Sequence, residues 1–352
     1  MELPAHHRFV SVLGTFAVVY FGGWLFEVLG TPLPYLLGSL AVSAILSLRN
    51  ACSKLPTPGL RFGQISIGLT LGLYFTAEVL NTTVSLLPWI FFAAILSSLF
   101  SLCGAVFLQR FVGIDAATSF FSAAIGGASD MANQAATAGA RADIVAIAHT
   151  VRVSLVVGSV PFLASYLFSS GNHTKIFAST PNTLEPLIIA TLFIVAAIIA
   201  PLARQIRIPN PWVLGSLFVG GVCASTFVEG IPNTWVINTG QVLLGWNLGQ
   251  RFSPTLFREA PRIVIGVVLM TLIYAVGGLG IATALHFGAG LSWGSSFIAT
   301  TPGGIAEMAI TAKVLGLDPP TVTAFHAVRL IVMVAGATSM IALGKRLGWL
   351  RA

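Results

Sequence analysis

Two short segments hold the polar residues best placed to do chemistry. In IGGASDMANQ (residues 125–134) the glycine pair Gly126 and Gly127 precedes Ser129, Asp130 and Asn133. In TTPGGIAEMA (300–309) Thr300 and Thr301 lead into Gly303, Gly304 and Glu307. The chain has only 11 acids in 352 residues, so a carboxyl group after two glycines in apolar sequence needs a physical reason. Glycines let the backbone turn sharply and leave amide groups open to a ligand. A helix starting after each pair offers free N–H groups to an anion. Equally, Asp130 or Glu307 could cap that helix in its first turn.

A second pattern, His-x-x-Arg, follows each segment: His149 with Arg152, and His326 with Arg329. Residues three apart share a helix face. Counted from Asp143, Arg152 lies roughly 13 Å along its helix, and Arg329, counted from Asp318, reaches a similar depth, near the middle of a hydrocarbon layer about 30 Å thick. A centred arginine costs at least ~2.5–3.5 kcal/mol unless it is paired or faces a cavity. It could bind an anionic solute, or pair with an acid, Asp130 with Arg152 and Glu307 with Arg329. The two readings are compatible, and the histidines could serve as hydrogen-bonded supports or as proton carriers. A third pattern is glycine with glutamine: Gly63, Gln64, Gly68 and Gly72, then Gly240, Gln241, Gly245 and Gly249. The G-x-x-x-G spacing suits close helix packing, and Gln64 and Gln241 are candidates for a polar cavity wall.

These patterns belong to a repeat. PYLLGSL at 34–40 returns as PWVLGSL at 211–217, and the 177-residue offset also relates Gln64 to Gln241, IGGASDMA to PGGIAEMA, and Arg152 to Arg329. One register held across rare polar positions marks a duplication, with halves 1–177 and 178–352.

The composition says what holds these residues. Charged side chains are 8% of the chain and hydrophobic ones 56%, with mean hydropathy +0.90; soluble domains carry roughly 25% charge. Apolar runs fall near 9–29, 33–48, 62–77, 84–108 and 144–168, then 185–203, 211–228, 239–250, 262–287 and 321–343. Glycine-interrupted segments lie at 114–140 and 292–315. Arg49, Lys54, Arg61 and Arg110 mark the even loops of the first half, but Arg204, Arg207, Arg251, Arg258 and Arg262 mark the odd loops of the second. By the positive-inside rule the halves lie upside down to each other. The expected fold is an all-α integral membrane protein of two inverted repeats, each with five transmembrane helices and one re-entrant or broken helical hairpin. Both termini would be cytoplasmic, in a bacterial inner membrane, and MELPAHHRFV lacks a cleavable-signal pattern.

Some classes are disfavoured. The net charge of +7 comes from basic residues scattered singly at the ends of apolar runs, not from a phosphate-binding face, so no nucleic acid is expected. Cys52, Cys103 and Cys223 have neither disulfide nor zinc spacing.

The doubled GG-x-x-[DE]-M block with H-x-x-R resembles the AbrB-type duplicated membrane protein family across essentially the whole chain. Many members carry an ammonia monooxygenase label, and the resemblance implies a multi-pass inner-membrane protein generally treated as a transporter. The paired hairpins are also similar in architecture to elevator-type carboxylate transporters. A copper or di-iron oxygenase needs clustered ligands, which six scattered histidines do not provide in sequence, and the family's association with gene regulation finds no helix-turn-helix here. The expectation is therefore a secondary transporter of a small anionic solute, not an enzyme, with no cofactor beyond a coupling H⁺ or Na⁺. Hairpins and His/Arg helices would form the moving core, with the remaining helices as a scaffold in a homodimer. A metal-dependent membrane oxidoreductase and an uncoupled channel or sensor are the alternatives.

Overall fold

The computed structural model describes residues 5–168, 182–252, 254 and 261–350. Their regular structure is helical, apart from one isolated bridge between Thr183 and Ile231. The first half has α1 (Ala5–Val28), α2 (Pro34–Leu48), α3 (Thr57–Gly72), α4 (Ala77–Ser85), α5 (Leu87–Val112), α6 (Ala116–Ala123), α7 (Ala128–Thr137) and α8 (Ala142–Phe168). The second has α9 (Pro186–Gln205), α10 (Pro211–Thr226), α11 (Thr234–Gly249), α12 (Pro261–Ala289), α13 (Trp293–Thr300), α14 (Ile305–Val314) and α15 (Pro319–Arg346). Among the described residues six helices, α1, α5, α8, α9, α12 and α15, are long and apolar enough to cross a membrane. Large apolar side chains such as Phe21, Leu163, Ile194 and Val276 are exposed on them, a surface suited to lipid rather than water. The protein is a multi-pass membrane protein.

Helix boundaries differ from the apolar runs where local chemistry overrides hydropathy. The run at 62–77 is replaced by α3, which begins at Thr57 because Pro58 fits a first helical turn. The unexpected α4 follows, started by Thr76, whose hydroxyl accepts from the Val79 N–H at 3.4 Å. Each glycine-interrupted segment is two short helices, α6 with α7 and α13 with α14. The Arg141 N–H donates to Thr118 Oγ1 at 3.0 Å, and the Asp318 N–H to Ser295 Oγ at 3.5 Å. The start of the first arm therefore lies beside the end of the second, and each segment folds back on itself as a hairpin.

Five helix starts recur 177 positions apart: Pro34 and Pro211, Thr57 and Thr234, Ala116 and Trp293, Ala128 and Ile305, Ala142 and Pro319. Packing is exchanged between halves in the same way, since α3 lies against α10 and α2 against α11. Gly68 and Gly72 make the first crossing possible. A Cβ on Gly68 would come within 2.6 Å of Val213 O, and one on Gly72 would overlap Leu217 O. At the counterpart crossing, Cβ atoms on Gly245 and Gly249 would overlap Ser39 and Ser43 hydroxyls and meet Leu36 O and Leu40 O. Backbone cannot swing aside as a side chain can. Gly72→Ala and Gly249→Ala are each expected to cost about 1–3 kcal/mol, read as a lower unfolding temperature of the detergent-purified protein. Gly14→Ala and Gly158→Ala, with nothing within 4 Å of the new carbon, should leave it unchanged.

The helices form two packed groups. One comprises α1, α2, α3, α9, α10 and α11; the other gathers both hairpins with α5, α8, α12 and α15. Helices α5 and α12 thus belong with the hairpins, not with the remaining helices as expected from sequence. The seam between the groups is apolar, with Leu33, Leu36, Ile67 and Leu71 facing Val157, Ile305, Ala309 and Leu330.

Candidate functional site

Each hairpin tip is a helix break. Helix α6 ends where Ala124 turns extended (φ −54°, ψ 129°), and α13 where Thr301 does (φ −60°, ψ 138°). A helix end leaves its last carbonyls without intrahelical partners, which is costly away from water. The eight residues of α6 rise about 12 Å, so these carbonyls lie well away from the hairpin's mouth.

The His-x-x-Arg pairs meet that need. Arg152 donates from Nη1 to Ser122 O (3.4 Å) and Ala123 O (3.2 Å), and from Nη2 to Ala124 O (2.9 Å). Arg329 donates from Nη1 to Thr300 O (3.5 Å) and Thr301 O (2.9 Å), and from Nη2 to Gly303 O (3.1 Å). Each guanidinium also donates to its own histidine's Nδ1, at 3.1 Å for His149 and 2.7 Å for His326. The opposite ring nitrogen faces a carbonyl, Phe121 O at 2.9 Å or Ile298 O at 3.0 Å. A guanidinium only donates and a carbonyl only accepts. Both rings are therefore neutral with hydrogen on Nε2, and neither keeps a nitrogen free for a metal or a travelling proton. All four side chains are buried. The expected ion pairs are corrected here: among the described residues the one ion pair is Arg141–Asp143 at the first hairpin's mouth. Arg152 and Arg329 turn to backbone carbonyls because helix ends carry partial negative charge where no carboxylate reaches them.

The acids sit on the other side of the break. Gly127 and Gly304 are the N-caps of α7 and α14, so Asp130 and Glu307 occupy the third helical position. There a carboxylate reaches back over the cap residue. A Cβ on Gly127 would overlap Asp130 Oδ2, and one on Gly304 would overlap Glu307 Oε2. The first glycine of each pair lies against the methionine after the acid: Cβ positions at Gly126 and Gly303 fall 3.0 and 2.6 Å from Met131 Cγ and Met308 Cγ. Both methionines are fully buried. The block GG-x-x-[DE]-M thus reads physically as one glycine under a methionine and one under a carboxylate.

The other expected site residues are placed as follows. Ser129 and Asn133 are exposed on α7. The Thr301 hydroxyl donates to Phe297 O at 2.8 Å. Gln64 Nε2 donates to Asn210 Oδ1 at 3.3 Å, and the Asp130 carboxylate lies toward the Asn210 backbone N–H. Gln241 is buried with Oε1 unpartnered. Ser129 joins Ala128 and Ala132 of α7, Ile147 and Thr150 of α8, and Arg251 around a cavity of about 430 Å³.

Sequence reading missed three contributors. Arg251 reads in the sequence as a loop charge, although it follows the glycine-glutamine helix by two residues. Tyr274 of α12 donates its hydroxyl to Ala123 O at 2.8 Å, and Ser101 of α5 accepts from the Ile125 N–H at 3.2 Å. These brace the first tip alone, because their repeat-related positions are Ser97 and Gly278; no local pattern around Tyr274 or Ser101 signals it.

A multi-pass membrane protein with two matched, arginine-capped helix breaks is the class these features define. The family model described as "Transition state regulatory protein AbrB" matches residues 2–96 and 35–344, and the chain belongs to that family. It is similar to a Bacillus subtilis (strain 168) protein, YhjN, 29% identical over 346 residues, covering 89% of this chain and 88% of the relative. It is also similar to an Escherichia coli (strain K12) protein named "Putative regulator AbrB", 23% identical over 307 residues, covering 85% and 86%.

Proposed function

We propose that this protein is a secondary active transporter of a small anionic solute, coupled to H⁺ or Na⁺, working by an elevator-like movement of the hairpin group against the other. The observation that carries the reading is the doubled helix break, held by Arg152 and Arg329 in corresponding parts of the two halves. Broken helices in paired repeats are where secondary transporters build their midplane sites. The two packed groups, meeting along an apolar seam, provide surfaces that can slide.

The reading takes the halves as inverted, with ten crossings and two re-entrant hairpins, both termini cytoplasmic, and a homodimer in a bacterial inner membrane. The alternating loop charges support the inversion, while the exchanged packing of α2, α3, α10 and α11 and the family match, in which residues 35–96 are covered twice, support the duplication beneath it. Asp130 and Glu307 carry the coupling ion, beside solute held at the hairpin tips and the seam. No enzymatic step is assigned. The described residues bring no three His, Cys, Asp or Glu side chains together, and both deep histidines have both ring nitrogens engaged. The regulator names carried by the family and the E. coli relative fit an indirect effect on expression through solute movement, since a basic nucleic-acid face has no counterpart in the singly placed cations.

The test is uptake by proteoliposomes under imposed H⁺ or Na⁺ gradients, over a panel of small organic anions. Gradient-dependent accumulation of at least one anion is the expected result, and its absence across the panel under both gradients rejects the reading. Cysteines at Thr137 and Val314, exposed repeat-related residues that end the second arm at each hairpin mouth, should label from opposite sides of the membrane; labelling from one side sinks the inverted arrangement.

A further inference from the structure

The cavity beside the first hairpin contains one strong charge, and it comes from the other packed group. Arg251 lies just past the end of α11, half-buried. Among the described residues no acceptor lies within hydrogen-bonding distance of its guanidinium, and it belongs to no ion pair. Glu307 attracts it from farther away. A cation taken partly out of water without a bonded partner is unfavourable, and an entering anion relieves that cost. Around it the lining combines Ser129 and Thr150 with apolar Ala128, Ala132 and Ile147, the Thr150 hydroxyl itself donating to Ala146 O at 2.8 Å. The counterpart place in the second half differs: the residue 177 positions earlier is Tyr74, with the Lys313 ammonium 5.6 Å from its ring centroid. A ring fills the place where the first cavity offers a guanidinium, so the paired hairpins do not make two equal anion sites.

We propose that Arg251 anchors the anionic group of the solute, and that this cavity takes a small monocarboxylate with a short apolar body. One planar guanidinium matches one carboxylate through two parallel hydrogen bonds. The volume of about 430 Å³ falls near the lower end of small-molecule sites, and the apolar lining suits a short hydrocarbon part. The inference rests on the transporter reading and names its solute class. It also reassigns the anion contact from Arg152 and Arg329, which cap helix ends, to a residue across the seam. Solute would then touch both packed groups at once. Glu307, when loaded with its coupling ion, would release its hold on Arg251 and free the guanidinium for the solute.

The experiment uses the full chain in detergent with Ser129→Cys as reporter. The rates of reaction with the anionic sulfonate reagent MTSES and the cationic reagent MTSET are compared at that cysteine by peptide mass spectrometry and normalised to free cysteine. A cleft of one sign concentrates counter-ions about tenfold or more, so an anion preference of about that size is expected. It should be lost in Arg251→Gln, kept in Arg251→Lys and raised in Glu307→Gln. Isobutyrate should slow labelling while isobutyramide, its neutral isostere, should not. Should Arg251→Gln fold poorly, Ala132→Cys in the otherwise unaltered chain gives a second reading of the same preference. A preference unaffected by residue 251, or equal protection by acid and amide, overturns the proposal. Because labelling needs no gradient, an anion preference without uptake of any solute would uphold the site and reject the transporter reading; uptake without the preference would do the reverse.

Discussion

Replacing Arg329 with alanine is expected to unfold the second hairpin, and Arg152→Ala to weaken the first by less. In the second hairpin, Thr301 O and Gly303 O are both held by Arg329, at 2.9 and 3.1 Å, with Thr300 O at the edge of reach. Truncation leaves Gly303 O unpaired, at roughly 1–3 kcal/mol for a fully buried acceptor, and removes the donor to His326 Nδ1. Thr301 O keeps only the Gly303 N–H of its own turn, at 2.9 Å, a bond that ties the tip to no other helix. In the first hairpin, Ala123 O keeps the Tyr274 hydroxyl, and the Ile125 N–H keeps Ser101, so only Ala124 O loses a short bond. Backbone buried in the protein has no water to turn to. The expected order of unfolding temperatures, followed by tryptophan fluorescence in detergent, is wild type above Arg152→Ala above Arg329→Ala. Lysine at either position recovers only part of the loss, because one ammonium cannot span carbonyls that a planar fork reaches together. Tyr274→Phe combined with Arg152→Ala should bring the first hairpin down to the level of the second. If instead both alanine variants melt with the wild type and only solute affinity falls, the arginines are ligands and not caps.

The contrast between what these arginines seek and what sequence alone suggests for them shows where such reading stops. Position along the helix was legible: spacing from Asp143 and Asp318 put both arginines well inside their helices, where both are buried. Their partner was not, because a sequence displays carboxylates but gives every residue the same carbonyl. Only the fold shows which carbonyls a helix break has orphaned. The glycine spacing at Gly68, Gly72, Gly245 and Gly249 foretold close crossings, and these occur. That each crossing joins one half to the other was not legible, since a helix apolar on all faces carries no stripe to name its neighbour. The same lack of a stripe hid the grouping of α5 and α12 with the hairpins. Arg251 escaped for a different reason. A cation after an apolar run looks like an orientation signal whether it ends in water or, as here, at a cavity lined by another element.

Neutralising both acids, Asp130→Asn with Glu307→Gln, is expected to abolish gradient-driven accumulation while leaving the fold intact. Each acid occupies the third position of a helix whose cap is a glycine, and an amide oxygen can take the same reach-back position. The substitutions therefore keep the size and one acceptor, and change only the ability to exchange a proton or bind a cation by charge. A potential of 100 mV supplies about 2.3 kcal/mol per charge, equivalent to ~50-fold accumulation of solute. In the double variant that ratio should fall to one, with counterflow of preloaded solute still measurable and an unfolding temperature close to that of the wild type. The two acids also differ in what they face: Asp130 lies toward the Asn210 backbone across the seam, and Glu307 attracts Arg251. Glu307→Gln alone should thus alter solute affinity as well as coupling, because it frees the guanidinium, whereas Asp130→Asn alone should alter coupling with affinity little changed. Full accumulation by the double variant would remove the carboxylates from the coupling step and leave them as helix caps alone.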